Sequence, residues 1–520
     1  MHFIDKESMM IILGEKPLDI QDFKQVVLQK HGVEISVKAR ERVVRSFNFL
    51  KDFSSDKVIY GINTGFGPMA QYRISDKDLK QLQYNLIRSH AAGSGNALDT
   101  IYVRATMLAR LNTLLLGYSG VHIGVVDQLA AYLNNGIYPV IFEHGGVGAS
   151  GDLVQLSHLA LGLIGEGEAI FEGKRQEMSE VLRKTGLKPI EIYIREGLGL
   201  LNGTSTMTGI GLVNMLNARK LYSWAVFASS MINQVVESYD DHISKELNTV
   251  KKHLGQNTTA NYLRDLLEDS KLLKKREDKL FNGLNGEKVF SEKVQEYYSL
   301  RCVPQILGPV LETIDNSCNV LINEINSVND NPIIDVENKN VYHGGNFHGD
   351  YVSFEMDKLK LGITKLSMLM ERQLNFLMNN KLNEILPPFV NLGVLGLNLG
   401  IQGMQFTATS TVAENQTLSN SMYVHSIPNN NDNQDVVSMG TNSALMTAKV
   451  ISNTFEVLSI HIIAILQAVD YLNATDKLSM ATKDIFKRLR EIVPVFVEDD
   501  MRYKDIQKMR DYIFTNPIEL

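Results

Sequence analysis

Between Phe354 and Asn379, Met356, Leu359, Leu361, Ile363, Leu366, Leu369, Met370, Leu374 and Leu377 recur at mixed spacings of three and four residues. Residues three and four apart share one face of an α-helix, so this run predicts a long helix with a wide apolar stripe. Similar stripes cross residues 205–240, 305–327 and 443–471. Two of these carry little charge on any face, which predicts helices covered on several sides by other helices or by other copies of the chain. Prolines number only 12 in 520 residues, which permits such lengths. The most continuous apolar stretch, residues 457–469, is interrupted by Ser459, His461 and Gln467 and falls short of the roughly 18 residues of a membrane span. It is expected to be a buried helix, and no membrane association is expected.

Residues 1–200 read differently: shorter helical patterns alternate with glycine-rich turns such as "YGINTGFGPM" and "HGGVGASGD". Residues 245–293 turn polar and charged, with "KKREDK" and "NGLNGEK" among them, and predict helix fragments and a mobile loop. The expected fold is mainly α: an elongated helical-bundle core in residues 201–520, ending in a charged helical cap, preceded by a smaller mixed globular region in residues 1–200. The two regions are expected to act as one continuous unit.

Composition narrows the function classes. With 44% hydrophobic and 21% charged residues the chain has the make-up of an ordinary globular protein. A net charge of −7 without a dense basic stripe argues against a nucleic-acid partner. Cys302 and Cys318 are too few for a disulfide framework and fit a reduced, cytoplasmic setting. The start, "MHFIDKESMMIILGEK", places acids within its first eight residues and lacks a cleavage signature, so no secretory leader is expected.

The chemistry concentrates in "HGGVGASGDLVQLSHLALGLIGEGE", residues 144–168. Gly146 to Gly151 spells G-x-G-x-x-G, the form of a dinucleotide-binding turn, but the chain lacks the alternating strands and helices that such a turn serves. A nucleophile elbow, G-x-S-x-G around Ser150, fails because Asp152 stands where the last glycine belongs. The third reading is self-condensation. If the loop is held tightly, the Gly151 nitrogen can attack the Ala149 carbonyl, and loss of two waters, one taking the Ser150 hydroxyl, leaves a five-membered ring with an exocyclic methylidene. Small residues suit this because the nitrogen must approach a backbone carbonyl in a conformation that glycine adopts cheaply.

Six motifs then fall into one order: "YGINTGFG" (Tyr60–Gly67), "GASGD" (Gly148–Asp152), "LLNGT" (Leu200–Thr204), "YSLRCVPQ" (Tyr298–Gln305), "NDNP" (Asn329–Pro332) and "GGNFHGD" (Gly344–Asp350). Together they resemble the aromatic amino acid ammonia-lyases, the family of histidine, phenylalanine and tyrosine ammonia-lyases and related aminomutases, across nearly the whole chain. The resemblance implies a homotetramer whose active sites draw loops from three subunits, and a methylidene-imidazolone made from Ala149, Ser150 and Gly151 with no external cofactor.

It also implies roles. Tyr60, set between a strand-like run and a double-glycine turn, would be the base at the substrate β-carbon, which requires donors or helix ends that favour a phenolate. Arg301 would clamp the substrate carboxylate with its planar fork, and Tyr298, three residues earlier, would place its hydroxyl near the reacting carbon and amine. Asn202 and Gln295 resemble the family's polar contacts to ring and substrate, and Phe347 would wall the pocket. His343 and His348 lack an acid and a third ligand at suitable spacing, so no metal is expected.

Selectivity rests on two places. Ser89-His90 resembles the Ser-His pair of histidine enzymes, yet a histidine there can bond a phenol as well as an imidazole. Where histidine enzymes usually carry a glutamate, this chain has Gln434, as tyrosine and phenylalanine enzymes do, with Asn433 beside it to help hold the carboxylate. The expectation is a tyrosine ammonia-lyase giving trans-4-coumarate, with histidine ammonia-lyase or an aromatic aminomutase as alternatives; a dehydrogenase or an inert scaffold fits less well.

Overall fold

The stripes form the helices Ser205–Val235, Val303–Ile325, Asp350–Met378 and Gly440–Tyr471. They belong to a computed structural model that describes residues 10–281, 288–290 and 292–520. Gly440–Tyr471 is by length and composition apolar enough to cross a membrane, but 89% of its most apolar 18-residue window is buried within the protein. The fold is mainly α, as its periodicity predicts.

Contacts divide the chain into two units, each assembled from three segments. The first comprises Met1–Asn214, Ser317–Asp357 and Ser421–Met446. Its centre is the helix Thr100–Leu115, every residue of which from Val103 onward is buried. Arg104 shows how such burial is tolerated: its guanidinium donates to the carbonyls of Val26 at 2.7 Å, His31 at 2.9 Å and Leu133 at 2.6 Å, capping carbonyls near the ends of the helices Ile20–Val27 and Ile123–Asn135. Strands in this unit are short. Ile11–Leu13 pairs in parallel with Val33–Ile35, and three small antiparallel sheets trim the helices, one of them joining Ile333–Asp335 to Asn340–Tyr342.

The second unit comprises Met215–Asn316, Lys358–Asn420 and Thr447–Leu520. Trp224 Nε1 donates to the Asn516 carbonyl at 3.0 Å, and Gln234 accepts from Ser479 N at 2.8 Å while donating to Thr482 Oγ1 at 3.0 Å. The Gln234 bonds fix the start of Met480–Ile492 and the Trp224 bond the end of Tyr503–Thr515, the two helices of the charged terminal cap. Within the polar stretch, Lys245–Thr249, Leu254–Leu267 and Arg276–Leu280 are helical. The mobile loop expected there falls largely on residues 282–287, outside the described residues, as does the start of the chain through residue 9.

One local expectation is corrected. The run before Tyr60 looks strand-like, but residues 57–59 form no strand. Ile59 buries itself in a cluster with Leu50, Ile62, Ile334 and Val341, and its N–H is taken by the Asn63 side chain at 2.9 Å, so the segment needs no neighbouring strand.

Replacing Arg104 by Met would strand three carbonyls. Arg104→Met is expected to destabilise by about 3 kcal/mol or more, read as a fall in the thermal unfolding midpoint that the exposed substitution Arg40→Met does not produce.

Candidate active site

The loop through Ala149, Ser150 and Gly151 is held on both sides by hydrogen bonds to its backbone. Met439 N donates to Val147 O at 2.9 Å, and Gly148 O accepts from Gly349 N at 3.2 Å and Ser438 Oγ at 2.9 Å. Asn202 Nδ2 donates to Ser150 O at 2.9 Å, and Asp152 N donates to Gly203 O at 2.7 Å. The Asp152 carboxylate accepts from Thr206 N at 2.8 Å and Met207 N at 2.9 Å, at the N-terminus of Ser205–Val235, and also from the Thr441 hydroxyl. Burial pushes the Asp152 carboxyl up to about 6, against these hydrogen bonds, which favour the charged form.

Glycine is required at the closest approach. Gly151 has φ +75°, and a β-carbon there would lie 2.0 Å from the Gly203 carbonyl oxygen. On Gly203 a β-carbon would lie 2.2 Å from Arg110 Nη1 and 2.5 Å from Asn329 Oδ1. The "NDNP" motif explains that floor: Asn329 accepts from Arg110 Nη1 at 3.2 Å, and Asp330 accepts from Arg195 Nη2 at 3.2 Å. Both arginines are buried, and desolvation lowers them, Arg110 to about 10.

Above the loop lies a cavity of about 850 Å³. It gathers Tyr60, His90, Ser150, Asn202, Phe347, Asn433 and Gln434 from the sequence-derived set, all in the first unit. Ala149 is buried behind the wall. Tyr60 Oη accepts the Gly67 N–H at 3.0 Å, a donor aimed at the oxygen that a base must charge. His90 closes the helix Leu79–His90, and its Nδ1 lies 3.0 Å from Leu86 O and 3.0 Å from Ser89 Oγ. A carbonyl only accepts, so Nδ1 carries the proton, and a neutral ring keeps its Nε2 lone pair for a ligand.

Gln434 ends a tight hairpin. Asn429 and Gln434 exchange backbone bonds at 3.2 and 3.3 Å, and Asn430, Asn431 and Asp432 between them all hold positive φ, 55°, 52° and 59°. Gln434 Nε2 donates to Ser150 Oγ at 2.8 Å. Asn430 meanwhile occupies the space beside Gly67, where a β-carbon would meet its Nδ2 at 2.7 Å. Asn430 and Asn331 line the cavity without having been singled out as ligands in the sequence, and His343, weighed there only as a metal ligand, lines it as well. The run of asparagines around 430 is the one signal that could have pointed there, since asparagine tolerates positive φ.

Three expected site residues lie elsewhere in the chain. Gln295 and Tyr298 line a different cavity, in the second unit, with Arg372 and Phe376. Tyr298 is 69% exposed, and the Arg301 guanidinium lies over its ring at 4.8 Å. Within one chain they do not line the Ser150 cavity.

The model of the aromatic amino acid lyase family matches residues 18–491. A histidine ammonia-lyase of Macrococcus caseolyticus is 39% identical over 97% of this chain and 99% of its own. A tyrosine 2,3-aminomutase of Chondromyces crocatus is 38% identical over 95% and 94%. The crystal structure of tyrosine aminomutase from Streptomyces globisporus superposes with a TM-score of 0.93 at 35% identity, covering 98% of this chain and 97% of that one. The chain belongs to the aromatic amino acid lyase family and is a carbon–nitrogen lyase.

The Asp152 clamp is open to a direct test. Asp152→Ala, which orphans two backbone donors and a hydroxyl, is expected to cost about 3 kcal/mol. Asp152→Asn can keep the same bonds by reversing the Thr441 hydroxyl and is expected to stay within roughly 1 kcal/mol of the parent; paired thermal melts distinguish the two.

Proposed function

We propose that this protein eliminates ammonia from L-tyrosine to give trans-4-coumarate, with a methylidene-imidazolone formed from Ala149, Ser150 and Gly151 and no external cofactor. The residues present suit that ring: positive φ at Gly151, its contact with Gly203 that excludes any side chain, and the hydrogen bonds on both sides of the triplet hold the backbone as a tight turn. When formed, the ring supplies an electrophile for the substrate amine, which no ordinary side chain provides.

The remaining work falls to side chains. Tyr60 takes the β-proton, with the Gly67 N–H placed to meet the charge that develops on its oxygen. Asn202 turns Nδ2 to Ser150 O and leaves Oδ1 buried without a partner among the described residues, an acceptor for the substrate ammonium. Phe347 walls the aromatic ring, and Asn433 contributes to holding the carboxylate.

The choice of tyrosine is carried by one observation: among the described residues the cavity wall contains no Asp, Glu, Lys or Arg. Gln434 presents a neutral amide, and His90 Nε2 an acceptor suited to a phenol O–H. The same observation supports a homotetramer. A cavity without a cation needs Arg301, with Tyr298 and Gln295, from other copies of the chain, where the exposed Tyr298 is free to reach.

Two alternatives have specific support. His90 can also meet an imidazole, and a 39% identical relative is named histidine ammonia-lyase; two other relatives are named tyrosine aminomutases. Purified protein given tyrosine, histidine or phenylalanine separately is expected to yield the ultraviolet spectrum of coumarate from tyrosine alone. Urocanate without coumarate would overturn the substrate, and β-tyrosine as the main product would make the enzyme a mutase. Because the His90 lone pair asks for a donor, 4-aminophenylalanine is expected to be turned over, while kcat/KM for 4-fluorophenylalanine falls roughly a hundredfold below that for tyrosine.

A further inference from the structure

The hydroxyl that Gln434 holds is one that the finished ring does not contain. Gln434 Nε2 donates to Ser150 Oγ at 2.8 Å, the single protein hydrogen bond to that oxygen among the described residues. The acid nearest in sequence is occupied elsewhere: both Asp152 oxygens are taken by Thr206, Met207 and Thr441. Among the described residues the cavity wall adds no Asp, Glu, Lys or Arg. The departing oxygen is therefore met by one neutral amide, fixed in place by the Asn429–Gln434 hairpin.

We infer that Gln434 assists formation of the ring itself by stabilising the Ser150 oxygen as it leaves. This rests on the methylidene-imidazolone reading above. In the first stage the Gly151 nitrogen adds to the Ala149 carbonyl carbon; the carbonyl oxygen departs as water with the protons of the Gly151 and Ser150 nitrogens, leaving a carbon–nitrogen double bond in the ring. In the second stage the Ser150 Cα proton passes to solvent, its bonding pair forms the Cα–Cβ double bond, and the Cβ–Oγ pair leaves on oxygen. That oxygen takes a proton from solvent and departs as the second water. No oxidant or reductant is consumed. An N–H aimed at Oγ lowers the energy of the charge gathering there, and it does so only in the second stage.

This gives Gln434 two successive tasks, leaving-group support before maturation and substrate contact after it. The test follows the mass of newly made full-length chain, sampled at intervals from a cell-free synthesis reaction, for wild type, Gln434→Leu and Gln434→Met. Both replacements remove the donor, and the methionine keeps the length of the side chain. Both variants are expected to lose the first water at the wild-type rate, to accumulate chain lighter by a single water, and to lose the second at least roughly tenfold more slowly. If Gln434→Leu does not fold, Gln434→Met carries the comparison. Loss of the second water from the folded variants at the wild-type rate overturns the inference and leaves the ring reading intact. Wild-type chain that never sheds two waters overturns the ring reading instead.

Discussion

The contact on which the site depends is between two glycines. Gly151 and Gly203 approach so closely that neither can carry a side chain, and Asp152 locks the approach by bonding Gly203 through its backbone and two helix starts through its carboxylate. Everything functional is referenced to that point. Asn202 precedes Gly203 in the chain and reaches back to Ser150, while the helix that Asp152 caps begins two residues after Gly203. A buried carboxylate is costly on its own; here two amides from a helix N-terminus and a hydroxyl offset part of its desolvation.

Much of this was legible in the sequence, and for a physical reason. Long helices announce themselves by period, and a turn that must pack backbone against backbone announces itself by glycine, so the Ala-Ser-Gly triplet and the four apolar stripes were visible without coordinates. Asp152 was visible as the residue that broke a serine-hydrolase pattern and as the end of "GASGD"; its role as a clamp depends on Thr206, Met207 and Thr441, which are far from it in the chain. Asn430 and Asn331 were missed because their value comes from which neighbours they meet, and no local spacing encodes that. The apolar run before Tyr60 looked like a strand because burial of Ile59 in a side-chain cluster and burial in a sheet leave the same short apolar trace.

The cavity itself combines order with incompleteness. Its wall is neutral and largely amide, aromatic and aliphatic, which suits an uncharged ring, yet a bound amino acid also presents a carboxylate and an ammonium. Asn202 Oδ1 answers the second. The first has no Lys or Arg in the wall among the described residues. On the proposed sharing of Arg301 between copies, dilution that separates the copies would remove the group that orients the substrate.

The hairpin Asn429–Gln434 touches the Tyr60–Gly67 turn with Asn430 and Ser150 with Gln434, and it reaches both through consecutive left-handed residues. Its contour length is therefore a ruler laid between that turn and Ser150. Side chains along it can diversify to suit new substrates, but an inserted or deleted residue would displace both ends together.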